Sequence, residues 1–368
     1  MLDLYTLYHF AERLYTGFSR HLPGGYALPP LQMVIELTYR CNLKCEMCFQ
    51  RRQMEQLHLR PGGPAQELSL EEIQQTIAQT PPWCLVIFTG GEPFVRTDFL
   101  DILAYASQKR RCHVVTNGTR ITPEVAHALV DLQVLSVGFS IDGDRAIHDR
   151  IRGIPGTFDR AIAAMREVRR HRQSAGRRWP LINFKTTITA SNAHDLAHIA
   201  EVARQAGADY CTYQIVNNSL LTSGLQLSDN MAPYLAPPDP IGEFDLEALR
   251  GQLQHLDQMR SDSGPTIRFS PDIPLEEIVA HYANRLDVRS YTCGAPWSGV
   301  NVSAYGDVFP CFNYRIGNLR ENTLSALWNG TRYRAFRRAL KRHGLFAGCV
   351  GCCDLVYRGN GKLRHGKH

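Results

Sequence analysis

Residues 33–48 read Met33-Val34-Ile35-Glu36-Leu37-Thr38-Tyr39-Arg40-Cys41-Asn42-Leu43-Lys44-Cys45-Glu46-Met47-Cys48. The first part predicts a buried strand, and the second part is a loop that carries three cysteines. A [4Fe–4S] cluster is normally held by four thiolates, so this loop can bind three irons and leave the fourth without a protein ligand. An open coordination position is typical of a metal that reacts. Zinc, the alternative, fits this spacing poorly because no partner CxxC or HxxxH lies nearby.

The loop formed by Cys41, Cys45 and Cys48 resembles the CxxxCxxC signature of the radical S-adenosylmethionine (SAM) superfamily. In that family the open iron chelates the amino and carboxylate groups of SAM. One electron from the cluster then cleaves SAM to methionine and a 5′-deoxyadenosyl radical, which removes a hydrogen atom from substrate. The residue before the third cysteine is usually aromatic and packs on the adenine. Met47 occupies that position here, and its polarizable thioether can contact an aromatic face, with Phe49 as a nearby aromatic.

A glycine pair follows the apolar run 85–88, in Thr89-Gly90-Gly91-Glu92-Pro93. Paired glycines let a backbone approach a ligand closely, although glycine and proline also mark ordinary turns. After the cysteine loop, the stretch resembles the GGEP motif of the same family, whose backbone and acid hold the amino group of SAM. The resemblance implies that SAM is bound by Gly90, Gly91, Glu92 and Pro93.

Two further strand ends resemble the family. Residues 137–143 read Val-Gly-Phe-Ser-Ile-Asp-Gly and are followed by His148-Asp149 and Arg152-Gly153, similar to a segment common in relatives with a cysteine-rich C-terminal domain. The resemblance places Ser140 and Asp142 near the ribose of SAM. For His148 and Arg152, stabilisation of the loop is an equally good explanation. Residues 115–119 include Asn117 and are interpreted as a turn that lines the site.

Strand and helix patterns alternate from residue 31 to residue 216, which predicts an α/β fold with a parallel sheet. The predicted strands are 32–38, 84–89, 112–116, 134–141, 181–189 and 210–216, and the predicted helices between them are 69–79, 97–109, 122–131, 157–172 and 194–206. The resemblance implies that the sheet is a partial (β/α)6 TIM-like barrel, with the motifs at the carboxyl ends of its strands. The predicted division is an N-terminal extension 1–30, the barrel 31–225, a linker and helix 226–290, and a cysteine-rich domain 291–368.

A second cysteine set lies near the C-terminus. Cys293 is followed by twelve residues, Gly306, four residues and Cys311, and the Gly306-Asp307 pair predicts a hairpin turn. The spacing resembles a SPASM domain shortened to the one-cluster twitch form. The resemblance implies an auxiliary [4Fe–4S] cluster on Cys293, Cys311, Cys349 and Cys352, with Cys353 as an alternative ligand or a spare thiol. A structural zinc site is the competing interpretation.

Composition excludes several classes of protein. The net charge of +6 comes partly from six basic residues along 332–342, interpreted as a solvated face or a docking patch for an acidic electron donor and not as a nucleic-acid site. No signal peptide and no run of eighteen apolar residues is present, so membrane insertion is not expected. Thiolate clusters need a reducing compartment, which predicts the cytoplasm. Cys84, Cys112 and Cys211 are predicted to be core residues.

The expected function is a radical SAM reaction on a small molecule, either a net oxidation or an epimerisation, with electrons from a flavodoxin- or ferredoxin-type reductant. The short segment of about 30 residues before the barrel favours a small molecule over a leader-bearing peptide. The alternatives are a maturase of ribosomal peptides and, more distantly, an iron–sulfur electron carrier or sensor. No catalytic acid, base or hydrogen donor can be named from the sequence.

Overall fold

The computed structural model describes residues 4–56, 63–217, 230–231, 238–260, 264–311 and 314–359. The strands in this part of the chain are β1 Gln32–Glu36, β2 Leu85–Thr89, β3 Cys112–Thr116, β4 Ser136–Ser140, β5 Leu181–Thr187, β6 Tyr210–Gln214, β7 Thr266–Ser270, β8 Tyr291–Thr292, β9 Gly299–Val302, β10 Asp307–Phe309, β11 Gly317–Asn318 and β12 Val356–Tyr357. The helices are α1 Leu4–His21, α2 Phe49–Gln56, α3 Leu70–Ala78, α4 Phe99–Lys109, α5 Pro123–Asp131, α6 Arg145–Arg152, α7 Thr157–Ser174, α8 Leu196–Ala206, α9 Leu246–Met259, α10 Leu275–Tyr282, α11 Ala295–Ser298, α12 Leu324–Trp328 and α13 Thr331–His343.

Ten strands form one sheet in the order β11-β10-β9-β1-β2-β3-β4-β5-β6-β7. Strands β1 to β7 are parallel to their neighbours, and helices cross between them, as the alternating sequence pattern predicts. The predicted α/β fold with a partial barrel is confirmed. The sheet also extends beyond the six predicted strands, because β7 pairs with β6 at one edge and β9 pairs with β1 at the other.

The barrel strands place alternate side chains on opposite faces. In β5, Ile182 and Phe184 are fully buried in the core, whereas Lys185 and Thr187 on the other face line an internal cavity. The core therefore lies between the sheet and its helices. The inner face of the barrel is left partly accessible and carries polar side chains.

Local signals explain where several helices begin and end. Ser69 caps α3 through a capping box with Glu72, so the predicted start of this helix is confirmed. Asp144 caps α6, a helix that the sequence analysis did not predict, and Gly153 ends it in the left-handed conformation at φ 74°. This short helix determines the position of Arg152 at its last turn.

The C-terminal part joins the barrel sheet through a hairpin. Strand β9 runs parallel to β1, and β10 returns antiparallel with Val308 opposite Val302. Gly306 precedes β10 with a φ of 86°, which confirms the predicted turn. The predicted boundary between barrel and C-terminal domain stays a prediction, since β9 and β10 belong to the same sheet as the barrel strands.

The basic residues of α13 divide between the interior and the surface: Arg337 is buried, whereas Arg338, Lys341 and Arg342 are exposed, as expected for a solvated face. Arg337 is fully buried, donates from Nε to the Pro296 carbonyl at 2.7 Å and lies 4.2 Å from the Trp328 ring. Arg338 and Lys341 donate to the carbonyls of Gly24 and Arg20. These side chains attach α13 to α11, to the last turn of α1 and to the segment that follows α1.

Residues 218–229 and 232–237, which include part of the predicted linker 226–290, lie outside the described residues, as does the segment 360–368. None of the helices in the described part of the chain has the length and hydrophobicity of a membrane-spanning segment.

Candidate cluster and cofactor site

A cavity of about 1040 Å³ occupies the inside of the barrel. Inward-facing residues of the strands line it, and so do cysteines from both ends of the chain. Those cysteines are Cys41, Cys45, Cys48, Cys311, Cys352 and Cys353. The sequence analysis assigned the two cysteine sets to separate domains, and the structure brings members of both to one space.

The N-terminal cysteine loop lies between β1 and α2 and is attached to α6. The backbone amides of Lys44 and Glu46 donate to the carbonyls of Arg152 and Ile151 at 3.2 and 2.9 Å. Cys41 is exposed, and Cys45 and Cys48 are half-buried. Burial raises the pKa of the Cys45 thiol, so a positively charged metal is what would favour its thiolate form. Three thiols without a fourth ligand in the loop fit a cluster that keeps one iron open.

The two glycines of the Gly90-Gly91 pair contact the backbone just before the cysteine loop. Gly90 has a φ of 130°, and a Cβ on it would meet the Thr38 carbonyl oxygen. A Cβ on Gly91 would meet the Arg40 carbonyl oxygen, while the Gly91 amide donates to the Thr38 carbonyl at 2.7 Å. Both positions therefore require glycine because the backbone of residues 38–40 packs against them, in addition to any close approach to a ligand. Both glycines line the cavity.

Glu92 is held rigidly at the wall of the cavity. Its carboxylate accepts from the Thr116 hydroxyl and the Asn117 amide, both at 2.7 Å, and from the Phe94 amide at 3.2 Å. Burial raises the pKa of Glu92 to about 7, although these three donors oppose the shift. Pro93 begins a short 3-10 turn and is buried without lining the cavity.

The remaining predicted SAM residues divide into two groups. Met47, Asn117 and Ser140 line the cavity. Asp142 is fully buried outside the lining and accepts from the Thr187 amide at 3.0 Å. The structure thus places Asp142 behind Arg152.

Arg152 connects this buried acid to the cysteine loop. Its Nη2 lies 2.5 Å from Asp142 Oδ2, and its Nη1 donates to Cys45 Sγ at 3.5 Å. Arg152 also lines the cavity. The sequence analysis left the role of Arg152 open. The available signal for a site residue was that Arg152 lies at the carboxyl end of a strand–helix unit.

The C-terminal cysteines differ in exposure. Cys293 and Cys349 are buried, Cys311 and Cys352 are half-buried, and Cys353 is exposed. Burial raises the pKa of Cys349 to about 11 and also raises that of Cys293. The ligand atoms of Cys352, Cys353 and Asp354 lie within 4.8 Å of one another. This donor set is rich in thiols and suits an iron–sulfur cluster.

Lys185 and Gln214 are polar cavity residues that the sequence analysis missed. A charged residue at an inward position of a barrel strand was the signal for Lys185. Three other cysteines behave as predicted: Cys84, Cys112 and Cys211 are each at most 1% exposed and belong to the hydrophobic core.

Comparison with known proteins identifies both halves of the site. The family model for the radical SAM superfamily matches residues 35–201, and the SPASM model, an iron–sulfur cluster-binding domain, matches residues 293–353. SuiB of Streptococcus suis, crystallised with SAM, shares the fold with a TM-score of 0.63 at 14% identity, over 95% of this chain and 78% of that chain.

Curated relatives are similar over part or most of the chain. An AdoMet-dependent heme synthase of Nitratidesulfovibrio vulgaris is 36% identical over 47% of this chain. The matched region spans only 44% of that relative's length. An Fe-coproporphyrin III synthase of Methanosarcina barkeri is 31% identical over 80% of this chain and 73% of its own length. AlbA, a subtilosin biosynthesis protein of Bacillus subtilis, is 24% identical over 92% of this chain and 71% of its own length.

The cofactors implied by these matches are a [4Fe–4S] cluster coordinated with SAM and an auxiliary iron–sulfur cluster, which sets aside the zinc interpretation of the C-terminal cysteines. The chain belongs to the radical SAM superfamily and carries a C-terminal SPASM iron–sulfur cluster-binding domain.

Proposed function

We propose that this protein is a radical SAM oxidoreductase that removes hydrogen from a small molecule of the tetrapyrrole class. One observation carries the proposal: members of both cysteine sets line the same cavity, so a substrate in that cavity can face SAM on one side and the auxiliary cluster on the other. An electron acceptor close to substrate favours net oxidation over epimerisation, since epimerisation returns a hydrogen atom and needs no acceptor.

The residue roles follow from the cavity and the family resemblance. Cys41, Cys45 and Cys48 hold the reactive cluster, and the auxiliary cluster is held by Cys293, Cys311, Cys349 and Cys352. SAM is seated by Met47, Gly90, Gly91, Glu92, Asn117 and Ser140, all of which line the cavity. When bound, SAM and the cluster supply the radical chemistry.

The chain's own contribution is to bind, orient and shield. Three donors hold the Glu92 carboxylate in one orientation, so its position does not depend on the ligand. Arg152 places a positive charge beside Cys45. The barrel wall limits access of water to the reacting groups. Asp142 and Pro93 act behind the cavity wall, on Arg152 and on the glycine loop respectively.

The substrate class rests on two supports. The relatives named heme synthase and Fe-coproporphyrin III synthase are named for tetrapyrrole products. The inner wall of the barrel offers polar side chains, including Lys185, Gln214 and Asn301, for a substrate with polar substituents. A ribosomal peptide is the second candidate, favoured by the similarity to AlbA over 92% of this chain.

The electron donor is proposed to be a flavodoxin- or ferredoxin-type protein. Cys41 is exposed, so the cysteine loop can be approached from the surface. The basic helix α13 is not proposed as the docking face, because Arg337 is buried and Arg338 and Lys341 bind backbone carbonyls.

The test is an anaerobic assay on reconstituted protein with SAM and dithionite. Wild type should contain about eight irons per chain and release 5′-deoxyadenosine. Cys41→Ala should lose about four irons and this product, and Cys311→Ala should lose about four irons while it retains SAM cleavage. Cys112→Ala, at a core cysteine outside the cavity, is the matched control and should retain both. Intact SAM in fully loaded wild type would refute the enzyme and favour an electron carrier.

Substrate and outcome are read by mass spectrometry after incubation with Fe-coproporphyrin III. A product that lacks hydrogen, formed in proportion to 5′-deoxyadenosine, supports the proposed oxidation. An unchanged mass with exchange of solvent hydrogen would favour epimerisation. No turnover of tetrapyrroles, combined with modification of a peptide encoded near this protein, would favour the maturase.

A further inference from the structure

Lys185 lies in the barrel wall and lines the cavity that members of both cysteine sets also line. It is on β5, opposite Ser140 of β4 and Thr212 of β6, and it lines the cavity. Ser140 is the last residue of β4 and a proposed SAM residue. Neighbouring strands are about 4.8 Å apart, so the Lys185 backbone is one strand away from the SAM pocket.

The sequence leaves space for the Lys185 side chain to cross β4. A Cβ built on Gly138 would come within 2.8 Å of Lys185 Cδ and 3.4 Å of the His113 ring. The stem of Lys185 therefore passes over a position without a side chain and points toward β3. Any larger residue at 138 would push Lys185 away from this path.

The Lys185 ammonium forms no hydrogen bond and no ion pair with the residues that the structure describes. Its neighbour His113 is hydrogen-bonded to Ser136 Oγ at 2.6 Å, and burial together with Lys185 lowers the His113 pKa to about 3, so that ring is neutral. Burial lowers the pKa of Lys185, and the nearby Cys353 thiol opposes that shift. The Lys185 side chain is half-buried, and a cation that is withdrawn from bulk water without a partner is unfavourable unless a ligand supplies the counter-charge.

We propose that Lys185 binds a carboxylate of the substrate and thereby positions the adjoining carbons beside SAM. This inference rests on the proposed function, in which the substrate enters the barrel. A single ammonium suits a carboxylate better than a phosphate, because phosphate sites combine several donors or a helix N-terminus. The neighbouring ring of His113 supplies no second cation.

The test compares three variants of the reconstituted, SAM-loaded protein. Lys185→Met removes the charge and keeps most of the stem, Lys185→Arg keeps the charge, and Lys109→Met is the matched control on the exposed last turn of α4. The first probe is coproporphyrin III against its tetramethyl ester, which lacks the negative charges. The second is 3-phenylpropionate against 3-phenylpropanamide, a pair that tests carboxylate binding independently of the tetrapyrrole proposal. Binding is measured by fluorescence quenching for the first pair and by ligand-observed NMR for the second.

Wild type and Lys109→Met should prefer each acid over its neutral analogue. Lys185→Met should weaken binding of the acids about 10- to 100-fold and leave the neutral analogues unchanged, and Lys185→Arg should recover part of the loss. Formation of 5′-deoxyadenosine in the absence of substrate is measured for all three variants, and Lys109→Met should match wild type.

Three results would overturn the role of Lys185. Equal weakening of acid and neutral analogue would indicate a packing role. Loss of SAM cleavage without substrate would assign Lys185 to SAM or to the clusters. Failure of wild type to prefer any acid would exclude a carboxylate site. A Lys185-dependent preference for 3-phenylpropionate without binding of coproporphyrin III would instead refute the tetrapyrrole class and retain Lys185.

Discussion

Replacement of Arg152 with methionine should strongly destabilise the cofactor-free protein. Arg152 and Asp142 form an ion pair whose side chains are 9% and 0% exposed, with 2.5 Å between Nη2 and Oδ2. Methionine fills the space of the arginine stem but leaves the Asp142 carboxylate buried with no opposite charge. The Thr187 amide would remain as its hydrogen-bond donor.

The expected loss in the free energy of unfolding is about 3–5 kcal/mol, the usual effect of removing one partner of a buried pair. The loss should depend on pH. Burial already raises the pKa of Asp142, and loss of Arg152 raises it further. An acid whose folded-state pKa is raised favours the folded state at low pH and loses that contribution as pH rises through the folded-state value. The difference between variant and wild type should therefore be smaller at pH 5 than at pH 8.

The assay is anaerobic urea denaturation of the metal-free, reduced protein. With a slope of about 3 kcal/mol per molar urea, the midpoint of Arg152→Met should fall by at least about 1 M. The control is Arg145→Met in the same helix, which breaks the exposed Arg145–Asp159 pair and should cost less than about 1 kcal/mol. The double variant Arg152→Met with Asp142→Asn should regain much of the loss. Equal effects of Arg152→Met and Arg145→Met would refute the reasoning.

Three other outcomes are expected. Gly91→Ala should prevent stable folding, because its Cβ would meet the Arg40 carbonyl oxygen. Gly251 has open space around it in α9, so Gly251→Ala should raise the free energy of unfolding by about 0.5–1 kcal/mol, measured by thermal unfolding. Cys353→Ser should retain about eight irons per chain if this thiol is the spare one, and a drop to about four would make it a ligand of the auxiliary cluster. Arg337→Met should lower the unfolding free energy by about 2–4 kcal/mol, because it leaves the buried Pro296 carbonyl without its donor; a change below 1 kcal/mol would contradict this.

Local patterns in the sequence predicted the barrel elements well. Each of the six predicted strands is present. Alternation of side chains and capping residues act over a few positions, so they are visible in the sequence. The pairing of β9 with β1 is different, because it joins residues more than 260 positions apart and β9 has only four residues. Nothing in Gly299-Val300-Asn301-Val302 specifies its neighbour.

The candidate site shows the same limit. Motif resemblance located the cavity residues Cys41, Gly91 and Ser140 because their spacing along the chain is distinctive. Lys185 has no such motif, and its importance comes from the register that places it opposite Ser140 and from the missing side chain at Gly138. The burial of Arg337 could not be predicted from the sequence either. An arginine that stacks on an aromatic ring and an arginine that faces solvent occur in the same local sequence pattern.

The sheet register sets the direction from which each cysteine set reaches the cavity. Cys41 comes after the carboxyl end of β1, whereas Cys311 follows β10, which runs antiparallel to β9 and so points back toward the amino end of β1. Phe309, the last residue of β10, lies opposite Asn301, and Asn301 pairs with Val34 in the middle of β1. Cys41 and Cys311 therefore reach the cavity from opposite strand directions. Under the proposed function, a carboxylate on Lys185 would hold the substrate in this cavity, with one edge toward SAM and the other toward the auxiliary cluster.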